Sequence, residues 1–334
     1  MTIDNNKENN NKHVVAVLGA GTIGASWAAL FLASGYEVDL YDPSIDSKAF
    51  VTNYIDNAWP ALKSLAIAKS DQRPKINFHD SPEECVKRAI FIQESVPEQL
   101  AIKHDLFQRI EEHIRKDAII ASSASGLLVK DMQAGWKNPG RFILGHPFNP
   151  PHLIPLVELL GNEHTDPGVL EQAEAFYTSC AKTTIRVNKE VPGHIANRLQ
   201  AALWKEAIHL VDEGVASLAD VDTAISTGPG LRWAVMGPNM LFDLGSGGHG
   251  IDVFCERLGP SFQRWWNDLG NPELTPKVVE KLVEGLNEAK NGKDFNILSH
   301  ERDQKIIAIT NAINNIDTKE PCSNTNKQRL KTAR

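Results

Sequence analysis

Cysteine is scarce: the chain has 4 among 334 residues, Cys85, Cys180, Cys255 and Cys322, and they are widely scattered. No pair has C-x-x-C spacing, so neither a redox motif nor the ligand pattern of a zinc site is present, and no metal is expected. Isolated thiols fit a reducing, cytoplasmic setting. Basic clusters large enough for a nucleic-acid footprint are missing from the body of the chain, and the formal net charge is -7. Nucleic acid is therefore not an expected partner. Apolar runs never approach the roughly 20 residues of a membrane helix. The stretch Met1 to Lys12 is Asn-rich and lacks the apolar core of a signal peptide. It and the polar end, Thr318 to Arg334, read as disordered tails (1–12 and 318–334). There is no internal repeat. What remains is an ordinary globular composition, 42% apolar and 23% charged, long enough for two domains and a sizeable core.

The first ordered stretch, His13 to Leu18, reads HVVAVL, a continuous apolar strand of the kind buried in a parallel sheet. Gly19-Ala20-Gly21-Thr22-Ile23-Gly24 comes next, a G-x-G-x-x-G opening a helix over Ile23 to Ser34. A second strand, Glu37 to Tyr41, ends at Asp42. Glycines at these points permit a tight turn and close backbone approach, and a helix N-terminus receives a pyrophosphate. Asp42 stands where a carboxylate binds a ribose 2′-hydroxyl and repels a 2′-phosphate, which predicts NAD over NADP. A Gly-rich turn in some other α/β domain is the bland alternative; the order strand, glycines, helix, strand, acid argues against it. Gly19, Gly21, Thr22, Ile23, Gly24 and Asp42 are the candidate cofactor residues.

Beyond Asp42 the pattern alternates. Ser47 to Ser70 is expected as helix, interrupted by Pro60. Strands are expected at Ile76 to Phe78, Ile90 to Glu94, Ala118 to Ser122 and Phe142 to Gly145, with helices at Pro82 to Lys87 and Glu98 to Ile114. Such alternation implies a Rossmann-type, doubly wound parallel sheet, with ligands bound beyond the carboxyl ends of its strands. Ser125 and His146 are both expected just after strands, on the side of the glycine loop.

His146 lies in Gly145-His146-Pro147-Phe148-Asn149-Pro150, and Glu158 in the apolar run Ile154 to Leu160. A buried carboxylate needs a partner, and a carboxylate that orients an imidazole produces a positioned general base. The alternative is a histidine in a loop and a glutamate on a strand edge. Helix Asp166 to Cys180 and strand Thr183 to Val187 complete the first domain, residues 13–189. From Glu190 the chain reads all-helical, residues 190–317. Its first helix runs to Glu213 with Ile195, Leu199, Leu203, Ala207 and Leu210 as an apolar stripe. Ser217 and Thr275 are expected N-caps. Arg232 is a candidate for gripping a carboxylate through two parallel bonds. Trp233, Trp265 and Trp266 are candidates for an aromatic cage around a quaternary ammonium or, more simply, for packing.

These residues together resemble the 3-hydroxyacyl-CoA dehydrogenase family from about Val14 to Leu244. The carriers are the glycine loop with Asp42, Glu98 with Lys103, Ser125, His146 with Asn149, Glu158 and Asn197, in that order. Gln93 to Glu98, His146 to Pro151, Ile154 to Leu159 and Gly230-Leu231-Arg232-Trp233-Ala234 are most similar to the branch of L-gulonate and L-carnitine dehydrogenases, which act on free hydroxy acids; acyl-CoA members usually lack the Arg-aromatic pair. The resemblance implies a Rossmann domain followed by a helical domain that builds a homodimer. It implies that His146 takes the substrate hydroxyl proton as hydride passes to NAD, that Glu158 holds the imidazole, and that Ser125 and Asn197 hydrogen-bond the substrate oxygen. Asn149 would support the histidine loop, Glu98 and Lys103 would lie near the cofactor, and Ser125, Arg232 and Trp233 would meet the substrate.

The expected function is NAD-dependent oxidation of the 3-hydroxyl of a gulonate- or carnitine-type L-3-hydroxy acid. A short-chain L-3-hydroxyacyl-CoA dehydrogenase is the alternative, with Lys63 and Lys69 as possible contacts for a CoA phosphate. A catalytically silent, crystallin-like NAD(H)-binding protein is a third reading, opposed by the intact set Ser125, His146, Glu158 and Asn197.

Overall fold

A computed structural model describes residues 13–317; both expected tails lie outside the described residues. The chain divides into two compact units. One holds the residues up to Ile195 with Lys305–Asn311, the other Ala196–Gln304 and the residues from Ala312 on. The first break falls six residues after the expected boundary, and a segment of the last helix groups with the first unit.

The first unit is an eight-stranded sheet in the order β3-β2-β1-β4-β5-β6-β7-β8. The strands are β1 Val14–Leu18, β2 Glu37–Tyr41, β3 Ile76–His79, β4 Phe91–Glu94, β5 Ile119–Ser122, β6 Phe142–Pro147, β7 Leu156–Leu160 and β8 Thr183–Arg186. All pairings are parallel except β6 with β7. That antiparallel pair departs from the expected all-parallel sheet. Only eight residues separate Pro147 from Leu156, too few for the dozen or more of a parallel crossover. The order reverses between β1 and β4, and such a switch point is where open α/β sheets bind ligands.

The helices of this unit are α1 Thr22–Ala33, α2 Ser47–Ser64, α3 Pro82–Val86, α4 Leu100–Ile110, α5 Val129–Gln133 and α6 Val169–Ser179. Pro60 does not interrupt α2, which passes through it. Pro60 is exposed and so is Asp56, whose carbonyl loses its helical donor, so water can satisfy it. Helix stops at Ser64 instead of Ser70, where Ala66 takes φ 56°. Alternation along the strands divides the core into two layers. Val15, Val17, Val38, Leu40, Val157 and Leu159 pack with Trp27, Phe31 and Tyr177 on one face. Ala16, Leu18, Ile92, Ile120 and Leu160 pack with Phe107, Met132 and Phe142 on the other. Continuous burial on both faces explains why these strands read as unbroken apolar runs.

The second unit is helical: α7 Ala196–Asp212, α8 Leu218–Thr227, α9 Pro229–Trp233, α10 Pro238–Gly245, α11 Ile251–Asp268, α12 Pro276–Lys290 and α13 Phe295–Asp317, of which Lys305–Asn311 group with the first unit. Ser217 and Thr275 cap α8 and α12 by accepting from Asp220 N and Val278 N. Residues 190–195, expected as the start of α7, are not helical; 192–195 form a turn with Gly193 and His194 at positive φ. The expected apolar stripe of α7 is not buried: Leu199 is 65% exposed. Among the described residues, no helix is long and apolar enough to cross a membrane.

Candidate active site

The glycine loop comes directly after β1. Gly19 has φ +93°, and a Cβ there would stand 2.6 Å from the Ser95 carbonyl oxygen. A Cβ on Gly24 would collide with the Gly19 carbonyl. These two glycines let the loop, α1 and the end of β4 approach one another. Gly21 differs: it precedes α1 without a side-chain cap, and a Cβ on it would meet nothing within 4 Å. An uncapped helix start with open space in front is a cradle for an anion. Thr22 and Gly21 are exposed and Ile23 half-buried there. Asp42 Oδ2 accepts from Ala20 N at 2.6 Å and Oδ1 from Ser44 N at 2.8 Å, fixing the carboxylate beside the loop. These residues fit a dinucleotide: Gly21 to Gly24 would hold the pyrophosphate and Asp42 the ribose.

Lys103 and Glu98 serve local structure. Lys103 is buried and donates to Glu94 Oε1 at 2.6 Å, where Val96 N also donates. Glu94 Oε2 accepts from Ser122 Oγ at 2.6 Å. This pair sets the turn after β4 against which Gly19 packs. Glu98 Oε1 accepts from the backbone N–H groups of Ser125, Gly126 and Leu127, so it fixes the turn after β5 that carries Ser125.

His146 does not stand after its strand; it lies within β6, in register with Glu158 on β7. Short antiparallel pairing extends β6 by two residues beyond the expected end. His146 Nδ1 lies 3.0 Å from Glu158 Oε2, and Nε2 lies 3.2 Å from Ser125 Oγ. A carboxylate only accepts, so Nδ1 carries the proton and Nε2 of the neutral ring is free to accept one. Glu158 is fully buried, His146 nearly so, and Ser125 exposed. Burial pushes the His146 imidazole below its ordinary value; the Glu158 hydrogen bond and charge oppose this, and His194 nearby reinforces it. Phe148 meets the His146 ring edge-on at 5.1 Å.

The segment after β6 is held from beneath. Lys182, at the start of the last strand of the sheet, donates to the carbonyls of Pro151 and, at 2.7 Å, Ile154. Ser26 Oγ on α1 accepts from His152 N at 2.9 Å and is hydrogen-bonded to His152 Nδ1, also at 2.9 Å. The cofactor helix and the histidine segment are thereby tied together. Asn149 is exposed on that segment. Asn197 stands in the first turn of α7, half-buried, and Arg232 and Trp233 on α9, all in the second unit. Lys63 is engaged by Asp71 at 2.5 Å. Sequence reasoning missed His194, a buried histidine whose ring centroid is 5.3 Å from that of His146. The only signal for it was its place after Val191-Pro192-Gly193.

A switch-point glycine cradle for a dinucleotide, beside a neutral histidine oriented by a buried carboxylate, defines an NAD-dependent dehydrogenase. Comparison with known proteins narrows this. The family model for the 3-hydroxyacyl-CoA dehydrogenase NAD binding domain matches residues 14–191, and that for the 3-hydroxyacyl-CoA dehydrogenase C-terminal domain matches residues 193–296. The chain belongs to the 3-hydroxyacyl-CoA dehydrogenase family. It is 42% identical over 310 residues to an L-carnitine dehydrogenase of Streptomyces coelicolor, covering 93% of this chain and 98% of that one. To an L-carnitine dehydrogenase of Pseudomonas putida it is 41% identical over 298 residues, 89% and 93% of the two chains. Among solved structures, it is similar to 5-formyl-3-hydroxy-2-methylpyridine 4-carboxylic acid 5-dehydrogenase, an NAD+-dependent dismutase. The TM-score is 0.78 at 30% identity, over 90% of this chain and 98% of the other.

Proposed function

We propose that the protein oxidises the 3-hydroxyl of a free L-3-hydroxy acid of the carnitine type, with NAD as acceptor. The observation that carries this is the Ser125–His146–Glu158 chain at the carboxyl edge of the sheet, beside the glycine cradle. His146 Nε2 takes the hydroxyl proton. Glu158 fixes the tautomer and stabilises the imidazolium that forms. Ser125 Oγ, 3.2 Å from the same nitrogen, donates to the substrate oxygen as charge develops. The chemistry that NAD supplies when bound is acceptance of the hydride. Asp42, with its carboxylate fixed beside the loop, disfavours a 2′-phosphate and so NADP. Asn197, Arg232 and Trp233 remain candidate substrate residues on the family resemblance and on their chemistry, Arg232 as a partner for a carboxylate. Asn149 supports the histidine segment. Residues 13–189 and 190–317 work as cofactor and substrate domains.

The free-acid reading is supported by the L-carnitine dehydrogenase relatives, while the family name points to acyl-CoA thioesters. A panel of hydroxy acids, L-carnitine and L-gulonate among them, and 3-hydroxyacyl-CoAs, followed by NADH absorbance, decides between them. Turnover of L-carnitine far above that of any thioester is the expected result. Preference for the thioester would overturn it.

We also propose a homodimer built by the second unit. The support is its unburied apolar surface, including a groove of about 420 Å³ lined by Leu203, Trp204, Ala207 and Ile225. The three cysteines among the described residues are unpaired, which suits the cytoplasm.

A further inference from the structure

His194 is a buried imidazole that the chemistry above does not use. It is 2% exposed, and neither Nδ1 nor Nε2 has a hydrogen-bond partner among the described residues. Buried polar atoms are almost always paired, and leaving one unpaired costs free energy. The backbone holds the residue there against its own preference. His194 has φ 49°, in the left-handed region, within a turn closed by its N–H on the Val191 carbonyl at 3.1 Å.

The next residue is locked to the catalytic carboxylate. Ile195 N donates to Glu158 Oε1 at 2.9 Å, while Oε2 of the same carboxylate holds His146. One buried acid therefore places both histidines. Their rings lie 5.3 Å apart between centroids, inclined at 52°. A strained, unpaired, buried imidazole beside the base is arranged for a ligand.

We propose that His194 contacts the substrate: its ring N–H donates to the carboxylate of the hydroxy acid whose hydroxyl lies at His146 Nε2. This rests on the free-acid reading above. A neutral imidazole offers one N–H donor, and a buried N–H bonds an ionised oxygen more strongly than a neutral one. In a 3-hydroxy acid the hydroxyl and the carboxylate sit on carbons separated by a single methylene. Two adjacent rings can serve both groups of one such molecule at once.

The test compares wild type with His194→Phe, which keeps a ring and removes both nitrogens, and His194→Gln, which keeps a donor. Steady-state rates at saturating NAD are measured for the best free acid of the panel and for its methyl ester. The expected result for His194→Phe is a KM for the acid raised about 10- to 100-fold, the effect of one hydrogen bond to a charged group. Its kcat should change much less, its KM for the ester should stay near the wild-type value, and NADH binding should be unchanged. His194→Gln should recover part of the loss. Equal rises for acid and ester overturn the proposal, as do unchanged KM values or a loss confined to kcat; the last would make His194 a support for His146. If His194→Phe does not fold, His194→Gln and His194→Ala carry the same acid-against-ester comparison. A wild-type protein that oxidises no free acid overturns the functional reading and this inference together, whereas an active wild type with insensitive variants overturns only the inference.

Discussion

The two units treat their apolar residues in opposite ways. In the first, both faces of the sheet are covered, and Trp27, Phe31, Phe91, Phe107, Phe142 and Tyr177 are essentially inaccessible. In the second, the buried apolar residues of Ala196–Gln304 are few: Ile208, Val221, Phe254 and Val278 among those described. Leu199, Trp204, Val235, Trp265, Trp266 and Phe295 are all more than half exposed. Leu203, Trp204, Ala207 and Ile225 line one groove there, and clustered exposed apolar side chains mark an interaction site. The first unit thus buries its own apolar residues and holds the Ser125–His146–Glu158 chain, while the second leaves large apolar side chains exposed. Chemistry and assembly should respond separately to mutation.

The sharpest way to break that separation is at the base. His146→Gln should lower turnover by roughly 10²- to 10⁴-fold while NADH affinity and oligomeric mass stay as in wild type. Glu158→Gln should also damage turnover, and the double variant should fall far short of additivity, because the pair acts as one unit. Near-normal turnover of a folded His146→Gln protein would place the chemistry elsewhere. The first unit's stability should depend on Lys103, which is 1% exposed and faces the wholly buried Glu94. Removing one partner of a buried pair leaves an uncompensated charge, so Lys103→Met should cost about 3–5 kcal/mol in urea unfolding. A cost under about 1 kcal/mol, the range of a surface pair, would contradict the burial.

Assembly should fail from the other side. Trp204→Glu places a charge in the α7–α8 groove, and light scattering should then show the mass moving from twice 36.8 kDa toward 36.8 kDa. NADH affinity should hold, because no residue of the cradle lies in the second unit. A wild-type protein that is already monomeric at micromolar concentration would remove the proposed reason for the exposed surface.

Legibility in the sequence divides along the same line. Glycine loops and apolar runs are local signals, so β1, α1, β2 and Asp42 lie close to where they are expected. Ser125, His146 and Glu158 can be placed because buried strands bring neighbouring ladder positions together. Registers are not local, and the extension of β6 through His146 escapes a sequence reading because it depends on antiparallel pairing with β7. The helical stop at Ser64 and the turn at His194 depend on single positive-φ residues that are not glycine, which no periodicity reveals. His194 leaves only a weak trace, since a lone histidine after Pro-Gly has no spacing rule. On α7 the stripe reads correctly as apolar, but hydrophobic spacing alone does not say how far it is buried, and Leu199 is 65% exposed.

The smallest expected effect is a shift in pH dependence, and it tests the first unit's electrostatics directly. In the proposed reaction, oxidation needs neutral His146, because Nε2 would accept the hydroxyl proton. Burial is the largest influence on this ring and disfavours its charged form, so its value lies below that of an ordinary histidine despite the opposing pull of Glu158. The neutral form therefore already dominates at pH 7, and kcat/KM for oxidation should fall only as pH drops through a value below about 6.5, the ordinary histidine figure. That profile reports the free enzyme. Glu158→Gln removes the charge and weakens the hydrogen bond that hold the proton on the ring, and leaves burial in place. Its residual activity should consequently show an acid limb at still lower pH than wild type, although its turnover is poorer. Reduction of the oxo acid requires the protonated ring and should show the mirror dependence, with its fall on the alkaline side. An acid limb that moves upward in Glu158→Gln would mean that this carboxylate does not stabilise the imidazolium, and the His146–Glu158 pair would then be a structural contact of two strands.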